Sequence, residues 1–461
     1  VNNSSKPNQA VIFQTKNIDD KIYIREQKGY FQRIRRALNW ILISVFIALP
    51  LVQYNGQQAV YFDLAKQKFT FFSITLFPHD LMIFCLVAIL AAFLLFYFTR
   101  LYGRIWCGYT CPQTIWMLMF NWIERRVEGT HRQSQALDRL PLGFSKGVKK
   151  ATKHALWLLL SLFTALVFIS YFVPVNELYQ NFFRLESSLI VQGWVYFFML
   201  CTYINGGWIK DKMCLHICPY ARFQSVMFGK ETKLITYDAQ RGESRGPRKR
   251  NIDKPAGKGD CVDCNLCVEV CPVGIDIREG LQYECINCGL CADACDSVMD
   301  KFNYAKGLIK YYAQTPVTQK FSYHIGYILV SAITLAAMLG WGITRDSFEV
   351  NVIRDRQSLY RINDHGQVEN TFLLKTLNKT PYVQSYSVTV NTGNNFLLNG
   401  EINGVLHYKV NPGEQATNVF YVAAKMPIET KRTDIQFTVR EVNLNENMIK
   451  NSQFYSGEGA W

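Results

Sequence analysis

Cys261-Val262-Asp263-Cys264-Asn265-Leu266-Cys267-Val268-Glu269-Val270-Cys271-Pro272 is followed, after a short spacer, by Cys285-Ile286-Asn287-Cys288-Gly289-Leu290-Cys291-Ala292-Asp293-Ala294-Cys295. Both runs read Cys-x2-Cys-x2-Cys-x3-Cys. In this ferredoxin spacing three close thiolates grip one [4Fe–4S] cluster, and the fourth cysteine of each run crosses to the other. The spacing therefore predicts Cys261, Cys264, Cys267 and Cys295 on a first cluster, and Cys285, Cys288, Cys291 and Cys271 on a second. Zinc ribbons repeat two-cysteine knuckles instead, and disulfides need an oxidising compartment. Asp296 stands after Cys295 where ferredoxins usually place proline, a change expected to alter the backbone without removing a ligand. So short a module cannot build a large apolar core, so the clusters are expected to organise it.

Outward from the cysteines the chain reads as a membrane protein. Five stretches are long and nearly charge-free, 38–54, 81–99, 155–173, 188–204 and 325–343, near the roughly 20 residues that span a bilayer as a helix. Pro50 is expected to kink the first near its end. Between them Lys and Arg number 8 in 1–37, 2 in 55–80, 10 in 100–154, 1 in 174–187 and 17 in 205–324. The positive-inside rule places the rich segments in the cytoplasm. The clusters then face the reducing cytoplasm, and five crossings leave the C-terminus on the opposite face. The net charge of +14 is explained by topology and anionic lipid, and nucleic acid is not an expected partner. The polar, charged N-terminus does not read as a cleavable signal peptide.

The expected organisation follows. Residues 1–37 form a cytoplasmic N-terminal segment, and 38–228 hold four transmembrane helices. Residues 229–260 make a basic, mostly irregular linker, 261–323 the ferredoxin-like module and its connector, and 324–343 the fifth helix. Residues 344–461 hold alternating runs at Phe348–Val352, Tyr382–Val390, Val405–Val410, Asn418–Val422 and Asp434–Val439, with Asn-Gly, Thr-Gly and Pro-Gly turn signals between them. That pattern predicts an all-β, immunoglobulin-like sandwich. It has no cysteine, so packing alone must hold it, and docking is its expected role.

A repeat is hidden among the helices. Trp106-Cys107-Gly108-Tyr109-Thr110-Cys111-Pro112-Gln113 follows the second apolar stretch, and Met213-Cys214-Leu215-His216-Ile217-Cys218-Pro219-Tyr220 follows the fourth. Proline suits the first position of a helix, so Cys111 and Cys218 are expected at helix N-termini, where the dipole favours thiolate. Brought together, Cys107, Cys111, Cys214 and Cys218 would make a soft sulfur site for Cu(I), zinc or an iron–sulfur centre, as one shared centre or two adjacent dithiols. Buried structural cysteine is the plainer alternative. His216, Met213, Met117 and Met119 are weaker ligand candidates. Cys85 and Cys201 read as core residues, and His79-Asp80 as an ordinary helix start.

Together these features resemble the FixG/RdxA/CcoG proteins, accessory factors of the cbb3-type cytochrome c oxidase. The resemblance covers the five spans, both Cys-x3-Cys-Pro pairs, the double-cluster motif and the C-terminal sandwich. It implies a multi-pass protein of the bacterial inner membrane, with N-terminus and clusters cytoplasmic and sandwich periplasmic. It further implies copper as a second metal, reduced from Cu(II) to Cu(I) before insertion into the oxidase. The oxidase or its copper assembly factors, a cytoplasmic electron donor and a second copy of the chain are the implied partners. The residues themselves leave two rivals open. One is an electron shuttle between quinone and clusters, and the other a scaffold with purely structural clusters.

Overall fold

The computed structural model describes residues 21–54, 56–250, 257–313, 322–355, 358–391, 396–399, 401–402, 404–425, 430–443 and 446–456. The turn signals at 392–393, 400 and 403 lie outside the described residues. The chain divides into two compact units, Val1–Leu51 with Cys85–Ala337, and Val52–Phe84 with Met338–Trp461.

In the first unit α1 (Tyr30–Ala48) carries Arg33, Arg35 and Arg36 in its first two turns. It ends before Pro50, whose ring and missing N–H bar further helix, so Pro50 follows the helix and does not kink it. The helix thus starts and ends earlier than the expected 38–54. α2 (Leu81–Tyr102) leads into the short α3 (Ile105–Tyr109), then α4 (Pro112–Glu128) and α5 (His131–Arg139). α6 (Phe144–Ile169) packs along α8 (Leu189–Tyr203), with α7 (Val175–Phe183) between them in sequence. Ala165, Leu166 and Ile169 meet Leu178, Phe182 and Val195 there.

Two π-helical turns, Ile204–Ile209 and Met213–Ile217, precede α9 (Pro219–Val226). Such wide turns recur at functional sites. Among the described residues four helices are long and apolar enough to cross a membrane: Leu81–Tyr102, Phe144–Ile169, Leu189–Ile209 and His324–Thr344. The arginines leave α1 only the stretch from Ala37 to Ala48, short of a free-standing span. Cys85 and Cys201, expected in the core, are exposed on α2 and α8. In a bilayer such positions face lipid, which apolar thiols tolerate as well as a core.

The expected 229–260 linker is only partly irregular. Leu234–Tyr237 pairs antiparallel with Ile309–Tyr312, and α10 (Ala239–Gly242) follows. Ile235 and Tyr237 join the same core as the cluster cysteines, so this segment belongs to the module it precedes. α11 (Leu266–Glu269) and α12 (Leu290–Lys301) carry the later cysteines of each run, and α13 (Ser322–Thr344) follows the module.

A buried ion network ties residues 21–25 to α4, α5 and α6. Glu124 lies 2.6 Å from Lys210 Nζ and 2.8 Å from Lys21 Nζ. Glu128 lies 2.7 Å from Lys150 and 2.8 Å from Lys153, and accepts from Ser134 Oγ at 2.6 Å. Asp138 accepts from Lys21 and from Tyr23 Oη.

In the second unit, one sheet runs in spatial order Glu401–Ile402, Phe396–Leu398, Gln415–Ala424, Val368–Asn378, Phe348–Arg354. The other runs Leu406–Val410, Gln384–Val390, Arg432–Glu441, Asn447–Tyr455. Phe372, Phe420 and Phe437 meet in the shared core, with Tyr386 and Phe454. The expected strands are present. Others escaped the sequence reading, the longest being Val368–Asn378 and Asn447–Tyr455. Val368–Asn378 buries Asn370 and Thr376 at inward positions, which masks its apolar alternation, and Asn447–Tyr455 is a largely exposed edge. Val60–Asp63, Lys68–Phe71 and Ile74–Leu76 add a small meander to this unit. Asp80 does more than start α2. It is buried, 3.0 Å from Arg345 Nη2 and 3.8 Å from Lys379 Nζ.

Burial pushes the Glu124 carboxyl up, but the Lys210 and Lys21 ammonium groups outweigh it and hold it at about 2, below its ordinary 4.5. Glu124→Gln leaves Lys210 without its counter-charge, and breaking a buried pair costs about 3–5 kcal/mol. The partial exposure of Lys21 puts the expected loss at the low end. Because the folded carboxyl is the stronger acid, this stabilisation is complete above pH 4.5 and lost as pH falls toward 2. Thermal unfolding in detergent should show a lower midpoint for the variant, with the gap to wild type closing in acid.

Candidate metal centre

The two cysteine runs fold alike. Asp263 and Asn265 in the first, and Asn287 and Gly289 in the second, take positive φ of 50, 56, 54 and 75°. Asn and Gly tolerate that conformation best, and it curls each loop around a cavity. Cys261, Cys264, Cys267 and Cys295 line one cavity of about 360 Å³, with Arg278, Val298 and Met299. Cys271, Cys285, Cys288 and Cys291 line another of about 350 Å³, together with Cys267. Each cavity holds the four sulfurs the spacing groups together, the second with Cys267 in addition, so the residues present fit two [4Fe–4S] clusters. Asp296 allows α12 to run on to Lys301, where Pro272 stops the chain after Cys271. Its Oδ1 accepts from Gly307 N at 2.9 Å.

The membrane-edge motifs sit against the second of these loops. A Cβ on Gly108 would lie 2.6 Å from the Ile286 carbonyl and 3.1 Å from Cys288 Cα, so only glycine lets the two backbones touch. Tyr109 Oη donates to the Cys288 carbonyl at 3.1 Å, and Arg104 Nη1 to the Tyr283 carbonyl at 3.0 Å. Asn287, between two cysteines, donates to the Tyr102 carbonyl at the end of α2 and accepts from Ile235 N.

The two motifs also hold each other. Gln113, just after Cys111-Pro112, donates to the Lys210 carbonyl before the second motif, at 3.0 Å. Gln224 of α9 accepts from the Cys107 thiol at 3.1 Å. Both motifs repeat a left-handed residue four before the first cysteine, Gly103 and Lys210. Cys111 and Cys218 cap α4 and α9 with proline at the first helical position, as expected. Neither pair lies on one regular helix: the chain is extended at Cys111 and π-helical before Cys218.

Cys107, Cys111, Cys214 and Cys218 come within electrostatic reach of one another. Among the described residues no three Cys, His, Asp or Glu close on one point as ligands of a single ion. Burial pushes the Cys214 thiol up to about 12. Burial also raises Cys107, against the Arg104 guanidinium, and Cys111, against the N–H groups of Gln113 and Thr114. Thiols so placed stay protonated until a cation draws the proton off, which is how metal binding releases protons. His216 is exposed and Met117 buried in the α4 packing.

Comparison with known proteins agrees with this architecture. Residues 209–314 match the 4Fe-4S dicluster domain, and 338–457 the IG-like fold at the C-terminal of FixG. The chain is 32% identical to the nitrogen fixation protein FixG of Rhizobium meliloti, over 80% of this chain and 79% of that one. It is 30% identical to the protein RdxB of Cereibacter sphaeroides, over 95% and 97%. The chain belongs to the FixG/RdxA family. It is a membrane-associated iron–sulfur redox protein. The protein RdxA of Cereibacter sphaeroides matches at 32% over 77% of this chain and 79% of its own. A crystal structure of a FixG-related protein from Vibrio parahaemolyticus, 30% identical, covers 24% of this chain and 97% of that one, with a TM-score of 0.22.

Sequence reading missed Arg35, Arg104, Gly108, Tyr109, Gln113 and Gln224. Gly108, Tyr109 and Gln113 carried a signal, lying inside or beside a recognised motif.

Gly108→Ala should force the motif off the Ile286–Cys288 backbone at about 1–3 kcal/mol, read as a lower unfolding midpoint in detergent. Gly340→Ala, where a Cβ meets open space, should leave the midpoint unmoved.

Proposed function

We propose that this protein reduces Cu(II) to Cu(I) at its Cys-x3-Cys-Pro pairs and hands the product on during assembly of a cbb3-type cytochrome c oxidase. The observation that supports it most is the seating of Cys107-Gly108-Tyr109 directly on the loop of Cys288. The proposed ligands are Cys261, Cys264, Cys267 and Cys295 for one cluster, and Cys271, Cys285, Cys288 and Cys291 for the other. Bound there, the clusters supply single electrons drawn from a cytoplasmic donor. The chain's own part is to hold the copper. Cys107 and Cys111, with Cys214 and Cys218, are two adjacent dithiols that lose protons as they take the ion. Each Cu(II) gains one electron, and soft thiolates favour the Cu(I) formed.

Replacing Cys107 and Cys111 by serine should cut copper affinity by at least the roughly 10–100-fold lost when even an outer partner of a metal ligand is removed. Iron content should stay at the wild-type level. The check is Cu(I) captured by a chelator per intact cluster after anaerobic reduction. Unchanged copper yield in this variant and in the Cys214/Cys218 variant would put the quinone shuttle ahead.

The proposed topology has five crossings, with N-terminus and clusters cytoplasmic and the sandwich periplasmic. α1 begins on the cluster module, where Phe31 N and Gln32 N donate to Asp293 at 3.1 and 2.8 Å. Its far end reaches Tyr171, just past α6, whose Oη donates to the Phe46 carbonyl at 2.8 Å. α1 thus runs the depth of a candidate span despite its arginines. Residues 52–84 and 338–461 share one unit, which suits one face for both. A reporter fused after Trp461 should be active only outside the cytoplasm, and one near Gly257 only inside. Activity on the same side would remove one crossing.

A further inference from the structure

A buried cation beside the second cluster loop has no role in the site so far. Arg35 of α1 is fully buried, and none of its three guanidinium nitrogens has a hydrogen-bond partner among the described residues. An unpaired buried charge is among the most costly features a fold can carry. Its surroundings are specific. Its guanidinium interacts electrostatically with Cys288, Cys271 and the phenol of Tyr109, which itself donates to the Cys288 carbonyl. Arg35 lines a cavity with Pro272 and Leu290, neighbours in sequence of two of the cysteines. Asp293 anchors the start of α1 on the same loop through Phe31 N and Gln32 N. A Cβ on Gly289 would lie 2.7 Å from the Phe31 ring. The helix is thus pinned with this guanidinium in a cavity whose Pro272 and Leu290 also line the second cluster cavity.

The first cavity is built differently. Arg278 lines it, but Asp276 and Asp263 pair with its guanidinium, each at 2.6 Å. Two carboxylates thus offset its charge, although the guanidinium still acts on Cys267. Cys264 is exposed there, whereas Cys288 is buried. Cluster potentials follow net charge, hydrogen bonds to sulfur and solvent exposure. Burial alone would lower the potential of the second cluster, because reduction adds a negative charge. An uncompensated buried cation acts the other way, and in a medium of low dielectric it acts strongly.

We propose that Arg35 is the counter-charge of the second cluster and sets its potential above that of the first. Electrons then collect at the cluster on which the Cys107 loop is seated. Sulfur of the bound cluster is the acceptor that the three nitrogens lack. Arg35 is a positioning residue: it touches no copper thiol and acts through the cluster. The inference rests on the ligand sets proposed above.

The test is an anaerobic redox titration of the full chain in detergent, followed by electron paramagnetic resonance, with iron counted in parallel. In Arg35→Gln the iron should stay complete. One cluster should become at least tenfold less reduced at a fixed potential, a fall of about 59 mV for a one-electron couple. The other should titrate as in wild type. Combining the change with Cys264→Ser, which removes a first-cluster ligand, should leave the shifted signal in place. Complete iron with both titrations unmoved overturns the role of Arg35. If Arg35→Gln loses iron, Arg35→Lys decides, since it keeps the charge but not the fork of donors. A smaller shift in the same direction supports the role, and a wild-type titration overturns it. Complete iron in Cys288→Ser would instead sink the ligand set, so the two failures are distinguishable.

Discussion

The contact between Gly108 and the backbone of Ile286 to Cys288 is the constraint on which the first unit depends. A loop that curls around a metal cluster has little apolar mass of its own. It gains rigidity from what is pressed against it. Here those supports are the first Cys-x3-Cys-Pro motif, the end of α2 through Asn287, and the start of α1 through Asp293. A side chain at position 108 would hold the two backbones apart. The same closeness is what the proposed electron transfer would require, because two centres must be near and still to exchange electrons.

The membrane-edge thiols show a balance of opposed effects. At Cys107 and Cys111 burial favours the neutral thiol, while Arg104 and the N–H groups at the start of α4 favour thiolate. Burial prevails at both. A bound cation would reverse that balance. Gln113 and Gln224 each reach from one motif to the other, which keeps the two pairs in one place without a single-ion cage. An open, soft and shared site suits an ion that is to be taken in and passed on.

Charge inside the first unit is arranged in two ways. Around Glu124, Glu128 and Asp138 each carboxylate meets at least two cations, and the network fastens residues 21–25 to three helices. Beside the second cysteine loop the Arg35 guanidinium has no hydrogen-bond partner among the described residues. The first arrangement satisfies its members by mutual pairing.

Cluster chemistry was legible in the cysteine spacing because three ligands of each cluster are local, and covalent reach dictates their separations. The apolar spans and the sandwich strands were legible because burial in lipid or in a two-layer core leaves periodic marks. Where those marks were broken the reading slipped. Asn370 and Thr376 hid an inward-facing strand, Arg33, Arg35 and Arg36 lie at the start of a helix that runs beside a span, and Pro50 follows a helix it was expected to kink. Only the tertiary structure placed Arg35 in a cavity with Pro272 and Leu290, set the first dithiol on the loop of Cys288, and joined residues 52–84 to the C-terminal sandwich. These are contacts between residues far apart in the chain. No local periodicity encodes them, because they are decided by which surfaces remain to be buried once each element has formed.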